Sequence, residues 1–308
     1  MSGPVTAADG SGLEQAAVQP PVVEITESRA SRVGLFPVLR ALPRRARRTV
    51  GSWCFVDHMG PATVDERGLG VAPHPHIGLQ TVTWLLTGEA LHRDSLGTEQ
   101  VIAPGQLNLM TAGHGVAHSE EGTGRSRGEI HGVQLWVAQP SATRDGPPAF
   151  EHHADCPQVE LDRARATILV GELAGAESLA RRDTDHAGVD LEVRPGTTVL
   201  PLRHSYEHAL VVLIGALLVD DAVIVPGHLA YLGLGRDEIT LTADTPTRAL
   251  LIGGIPMDEP VLIWWNFVAR SRDEIIDAHT DWAARADRFG VVASMLPRVE
   301  VDPPPWTR

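Results

Sequence analysis

The stretch Val101–Gly113, VIAPGQLNLMTAG, returns in altered form at Val223–Gly233, VIVPGHLAYLG. Each is an apolar pair leading into Pro-Gly, then one residue, then an apolar run of strand length. Two such copies far apart in one chain point to internal duplication, with one β domain used twice. The surroundings of each copy agree. LQTVTWLLTG, EQVIAPG and IHGVQLWVAQP lie near the first; ATILVGEL, VDLEVRPGTTVLPL, HALVVLIGALLVD, DEITLTA and TRALLIGGIP lie near the second. These are short runs rich in β-branched residues, with Gly, Pro, Asp and Ser between them every 8–12 residues or so, the pattern of an all-β sandwich or barrel.

The chain of 308 residues is long enough for two ordinary domains. Residues 1–30 read as a disordered tail of small and polar residues with no secretory signal. The first β domain is expected over 31–140. Residues 141–160, within and beyond the stretch PSATRDGPPAF (140–150), read as a linker. The second β domain is expected over 161–290. It would include one helix over about 271–288, because Ser271 and Glu274 fit a capping box and Ile275, Ile276, His279 and Trp282 follow at helical spacing. Residues 291–308 read as a Pro-rich tail.

Net charge is −13, which disfavours nucleic-acid binding by the surface as a whole. The basic run PRRARR, residues 43–48, reads as a solvated loop, with contact to an acidic partner as the other reading. Two cysteines without CxxC spacing suit a reducing, cytoplasmic compartment. No apolar run approaches the roughly 20 residues that cross a bilayer.

The chemistry gathers in PHPHIGLQ, Pro73–Gln80. On a strand, residues i and i+2 share a face, so His74 and His76 project together. GVAHSEE supplies a second such pair, His118 and Glu120. Three imidazoles and a carboxylate inside a small barrel suit a divalent Fe, Zn, Ni, Cu, Mn or Co ion rather than a thiolate-bound structural zinc. Seven of the 14 histidines lie between His58 and His131, which adds weight to the cluster.

The motifs HPHIGLQTVTWLLTGEALHRDSLG (74–97), PGQLNLMTAGHGVAHSEE (104–121), HGVQLWV (131–137) and ALLIGGIPMDEPVLIWWNFVARSRDEI (249–275) resemble the pirins, a branch of the two-domain cupins. The resemblance covers most of residues 35–285. It implies a bicupin fold with one metal, Fe(II), in the N-terminal barrel on His74, His76, His118 and Glu120, and a metal-free second barrel. It also implies quercetin 2,3-dioxygenase chemistry on a small aromatic substrate and dioxygen; Glu120, a carboxylate within reach of the metal, is the candidate catalytic base. Some pirins act instead as metal-dependent, redox-sensitive partners of transcription factors or metabolic enzymes, which is the alternative function. The assembly expected is a monomer.

One position departs from the general cupin pattern, which places a glutamate four residues after the second histidine. Gln80 stands there, and a glutamine is a poor anionic ligand. His92, His114, Phe55 and Met110 are further candidates for the surroundings of the metal or the pocket, as is Leu135. His204 and His208 could share a strand face in the second half. Trp264 and Trp265 read as packing residues.

Overall fold

A computed structural model describes residues 22–34, 36–124 and 128–307. Two barrels stand in tandem, each made of a seven-stranded and a four-stranded antiparallel sheet. In the first barrel, the larger sheet orders its strands Ala149–His153, Leu107–Thr111, Leu79–Thr87, Gly128–Ala138, Trp53–Val64, Phe36–Leu42 and Arg29–Val33. In the second, the order is Glu24–Glu27, His228–Leu234, Glu207–Ile214, Thr247–Gly254, His186–Val193, Ala164–Val170 and Gln158–Glu160. The two halves of the repeat, Leu107–Thr111 and His228–Leu234, occupy the same place in their sheets. The internal echo in sequence is therefore an echo in topology.

The smaller sheets correspond as well. Val71–His76, Val116–Glu121, Ala90–Asp94 and Glu99–Ile102 make one; Gly196–Pro201, Glu238–Ala243, Leu217–Val219 and Ala222–Ile224 make the other. The positions that carry histidines in the first barrel fall among aliphatics in the second. Leu200, Ile239 and Leu241 are buried there in one cluster with Val189, Leu210, Val212 and Ala230. His204 is exposed and paired with Asp237, while His208 lies buried near Tyr206, so the two do not form a ligand pair.

Several boundaries differ from the sequence reading. Residues 1–21 of the expected tail lie outside the described residues, but Glu24–Glu27 is a strand that pairs with His228–Tyr231 of the second barrel. The expected linker holds two edge strands: Ala149–His153 closes the first large sheet and Gln158–Glu160 the second. Within the basic run, Arg47 bonds Glu24 and lies 3.4 Å over the Tyr231 ring, tying its loop to the second barrel.

The C-terminal segment also goes elsewhere. The helix is Arg272–Ala283 and stops short of Arg288, because Arg285 takes a left-handed backbone with φ 57°. Ser271 caps it by accepting from Glu274 N, while the Glu274 carboxylate accepts from Arg270 N and takes a bidentate pair from Arg144. Its apolar face, Ile275, Ala278 and Trp282, packs on Ile77 and Ala117 of the first barrel, not on the second. The expected tail lies along the same barrel: Trp282 Nε1 donates to Val299 O, and Val299 N donates to Pro73 O. Among the described residues, no helix is long and apolar enough to cross a membrane.

Between the barrels lies a shared core of Val56, Val82, Trp84, Val133 and Leu135 against Val211, Leu213, Leu250 and Ile252. Polar groups are enclosed beside it. Asp190 accepts from Trp84 Nε1 at 3.0 Å and takes a bidentate pair from Arg248. His58 and His131 meet Nε2 to Nε2 at 2.8 Å.

Burial pushes His58, His186 and His208 each down to about 4. In the unfolded chain they titrate near 6.5, so the unfolded state gains protons first as pH falls. Stability is expected to drop between about pH 6.5 and 4, by about 1.4 kcal/mol per pH unit for each such histidine. Burial raises the Asp57 and Asp190 carboxyls, which opposes the drop at the acid end. Urea midpoints at pH 7, 6 and 5 measure this; a midpoint that holds steady across the series contradicts it.

Candidate metal centre

The strands Val71–His76 and Val116–Glu121 run antiparallel, with His118 directly opposite His74 and Val116 opposite His76. Alternation along each strand turns His74, His76 and His118 to one side. Their ligand atoms all lie within 4.8 Å of one another, a group that could hold a metal ion.

The hydrogen bonds fix which nitrogen faces the centre. His74 Nδ1 donates to Ala72 O at 2.8 Å, and His76 Nδ1 donates to Asn266 O at 3.1 Å. A carbonyl only accepts, so both protons sit on Nδ1 and both Nε2 atoms present lone pairs. His118 is oriented through two further side chains, His92 and Asp94. Asp94 Oδ2 lies 3.1 Å from His92 Nε2, which places the His92 proton there. His92 Nδ1 then faces His118 Nδ1 at 3.4 Å as an acceptor, and His118 Nε2 is left bare.

Two of these bare nitrogens, His76 Nε2 and His118 Nε2, stand 3.1 Å apart. Neither has a proton to share, so this pair repels unless a cation joins it. Nitrogens about 2.1 Å from a common ion and at right angles would stand about 3 Å apart. Burial pushes His74 down to about 4, and pushes His76 and His118 well below the usual histidine range. All three are neutral near pH 7, the form that binds metal. The residues fit a divalent ion.

Glu120 lines the same cavity but stands outside the triad. A register shift between His118 and Glu120 sets it opposite Val71. Thr83 Oγ lies 3.2 Å from Glu120 Oε1 and 2.9 Å from Gln134 Oε1; its one proton serves either acceptor. Burial raises the Glu120 carboxyl, against the nearby His92 and the Thr83 bond.

The other sequence candidates divide. His92 is buried behind His118 and stacks on Phe150 with ring centres 4.4 Å apart. Phe55 lines the cavity. His114 does not; it is exposed, with Nδ1 donating to Gly146 O. Met110 is buried beside Cys54, Leu79 and Val116, while Leu135 faces the second barrel, so neither lines the cavity. Gln80 bonds Thr111 and shares its strand parity with Val82 and Trp84, which face the second barrel. Trp264 packs as expected, but Trp265 lines the cavity from a hairpin turn at φ 52°.

That hairpin, Leu262–Trp264 with Phe267–Ala269, was not legible as part of the site. It comes from the C-terminal half, yet Asn266 O orients His76 and Val268 N donates to Ile77 O. Gly78, at φ 65°, makes the approach possible: a Cβ there would fall 2.2 Å from Val268 O. Asp94 was also missed, although its i, i+2 relation to His92 was a signal available in LHRDS. Arg40, Gln134 and Trp136 complete the walls. Cys54 takes no part in the triad, and burial pushes its thiol up to about 12, so it is no thiolate ligand.

Because Asp94 and His92 orient His118, His92→Ala is expected to weaken metal binding by about 10–100-fold. Competition with a chromophoric chelator measures the affinity; an unchanged constant would remove the relay from the site.

Residues 35–137 match the Pirin family and residues 188–290 match the Pirin C-terminal cupin domain. A Pseudomonas aeruginosa protein named "putative quercetin 2,3-dioxygenase" is 45% identical over 285 residues, covering 92% of this chain and 90% of its own. A pirin-like protein of Caulobacter vibrioides is 38% identical, covering 84% of this chain and 92% of its own. The crystal structure of quercetin 2,3-dioxygenase from Acinetobacter baumannii superposes with a TM-score of 0.89 at 39% identity, covering 92% of this chain and 96% of that one.

Proposed function

This chain belongs to the pirin family, and on that premise we propose that it is a mononuclear metal dioxygenase that opens the ring of a flavonol such as quercetin. The metal is held by His74, His76 and His118, with Glu120 as the fourth ligand, and is Fe(II). The observation that carries this reading is the convergence of three Nε2 lone pairs, two of them 3.1 Å apart. The relatives' names supply the reaction class.

A bound divalent ion supplies Lewis acidity that lowers the pKa of a coordinated hydroxyl. The remaining parts belong to the chain. The cavity of about 460 Å³ is of the size that takes a small organic ligand. Trp136 and Phe55, stacked on one another at 3.9 Å, give the cavity an apolar aromatic wall for a ring system. Glu120, a carboxylate on the cavity wall beside the triad, receives the proton of the flavonol 3-hydroxyl. Trp265 and Asn266 cover the side nearest His76 and limit water. The products are a depside and carbon monoxide.

Protein reconstituted anaerobically with Fe(II) and mixed with quercetin in air tests this. Loss of flavonol absorbance with one carbon monoxide released per dioxygen consumed supports the proposal. Iron-loaded protein that consumes no flavonol refutes it.

A further inference from the structure

We infer that Arg40 is a specificity-determining residue that selects planar aromatic ligands bearing an anionic group at the end remote from the metal. The assignment rests on the flavonol reading above and refines which flavonols the site prefers.

Four neighbouring strands of the large sheet carry one polar row across the cavity wall. Thr83 is opposite Gln134, Gln134 opposite Asp57, and Asp57 opposite Arg40. The row begins at Glu120, bonded to Thr83, and ends at the Arg40 guanidinium. Three inter-strand steps of about 4.8 Å make it roughly 14 Å long. A second row runs beside it. His76 meets Trp136 edge to face at 5.2 Å, Trp136 stacks on Phe55, and Arg40 covers the Phe55 ring at 4.3 Å. Both rows start at the metal centre and both end at Arg40. A planar molecule chelated at one end and lying along the aromatic row brings its far edge to this guanidinium.

Arg40 is held for the purpose. Its Nε and Nη2 donate to Asp57 Oδ1 and Oδ2 at 2.8 and 2.7 Å, and Asp57 is fully buried. That pairing uses two of five N–H groups. Among the described residues nothing else accepts from Arg40, which leaves the Nη1 amino group and one Nη2 proton for a ligand. A guanidinium that only neutralised Asp57 would need neither the Phe55 stack nor a place in the cavity lining.

The charge around it agrees. The chain as a whole carries −13, yet the cavity margin on this side is cationic. Arg29 is the cross-strand partner of Arg40. Asp57, already paired, and Glu120, deep at the metal end, are the acids of the rows. Such a local reversal of sign draws anions and repels cations.

The test uses protein loaded with Zn(II), which has no redox chemistry, so binding is read without turnover. Two probes, 3-hydroxyflavone and its 4′-carboxylate, are titrated by fluorescence against wild type, Arg40→Met and the double variant Arg40→Met/Asp57→Asn. The double variant removes the buried carboxylate that a lone Arg40 change would strand. Wild type should bind the carboxylate about tenfold or more tightly than the neutral flavone. Both variants should lose that preference, the ratio of the two affinities falling to about one. A wild type that binds both probes equally overturns the Arg40 assignment and leaves the flavonol reading standing. Equal loss of both probes in the double variant makes Arg40 a structural counterion and also overturns it. A wild type that binds neither probe overturns the flavonol reading, and this inference with it.

Discussion

Glu120→Gln is expected to slow quercetin consumption by about 10²–10⁴-fold per bound metal, the range for loss of a positioned base. Glutamine keeps the shape and the contact with Thr83, so the cavity stays formed. What disappears is the group proposed to take the flavonol proton. The wild-type rate should rise with pH as this carboxyl loses its proton. The variant's residual rate should lack this rise. Metal content must be measured alongside, because Glu120 is also the proposed fourth ligand. A variant that turns over at the wild-type rate per metal would leave Glu120 without a chemical role.

The largest structural effect is expected at Trp53. This side chain is fully buried and belongs to the first barrel, yet its indole nitrogen donates to Ala187 O and Gly253 O of the second. It meets the His186 ring edge to face at 5.1 Å. Gly188 leaves the space for it: a Cβ there would lie 2.8 Å from the indole. Neighbouring bonds reinforce the junction, with Gly51 N donating to Glu207 at 2.6 Å and Ser52 Oγ 2.7 Å from Thr184 Oγ1. Trp53→Ala should cost about 3–5 kcal/mol through the cavity left between the barrels. Trp53→Phe keeps most of the packing and should cost about 1–2 kcal/mol for the lost donor. Urea unfolding of both variants measures this. A Trp53→Ala protein within about 0.5 kcal/mol of wild type, the scale of an ordinary surface change, would show that the barrels do not stabilise one another.

The duplicated barrel was legible because Pro-Gly turns and apolar alternation are local signals that survive in both copies. The triad was legible for a similar reason: His74 and His76 share a face by strand parity alone, as do His118 and Glu120. Contacts that depend on distant pairing were not. Nothing in EITE, residues 24–27, says that this short, mostly exposed segment joins the second barrel. The helical spacing of Ile275, Ala278 and Trp282 marks an apolar face, but not which barrel it covers. Asn266 acts through its backbone carbonyl, which has no sequence signature. Arg40 and Asp57 are 17 residues apart, and only the register of their strands makes them a pair. His114 failed as a candidate because proximity to His118 in sequence put it in a turn rather than on the strand's inner face.

The proposed function depends on His74, His76 and His118 holding one metal. Metal content per chain, measured after Fe(II) loading and exhaustive dialysis without oxygen, tests it most directly, with wild type beside His76→Ala and His118→Ala. About one ion is expected per wild-type chain, bound through imidazole nitrogens by X-ray absorption, and almost none in either variant. Wild-type protein that retains no metal, or variants that retain it in full, would contradict it.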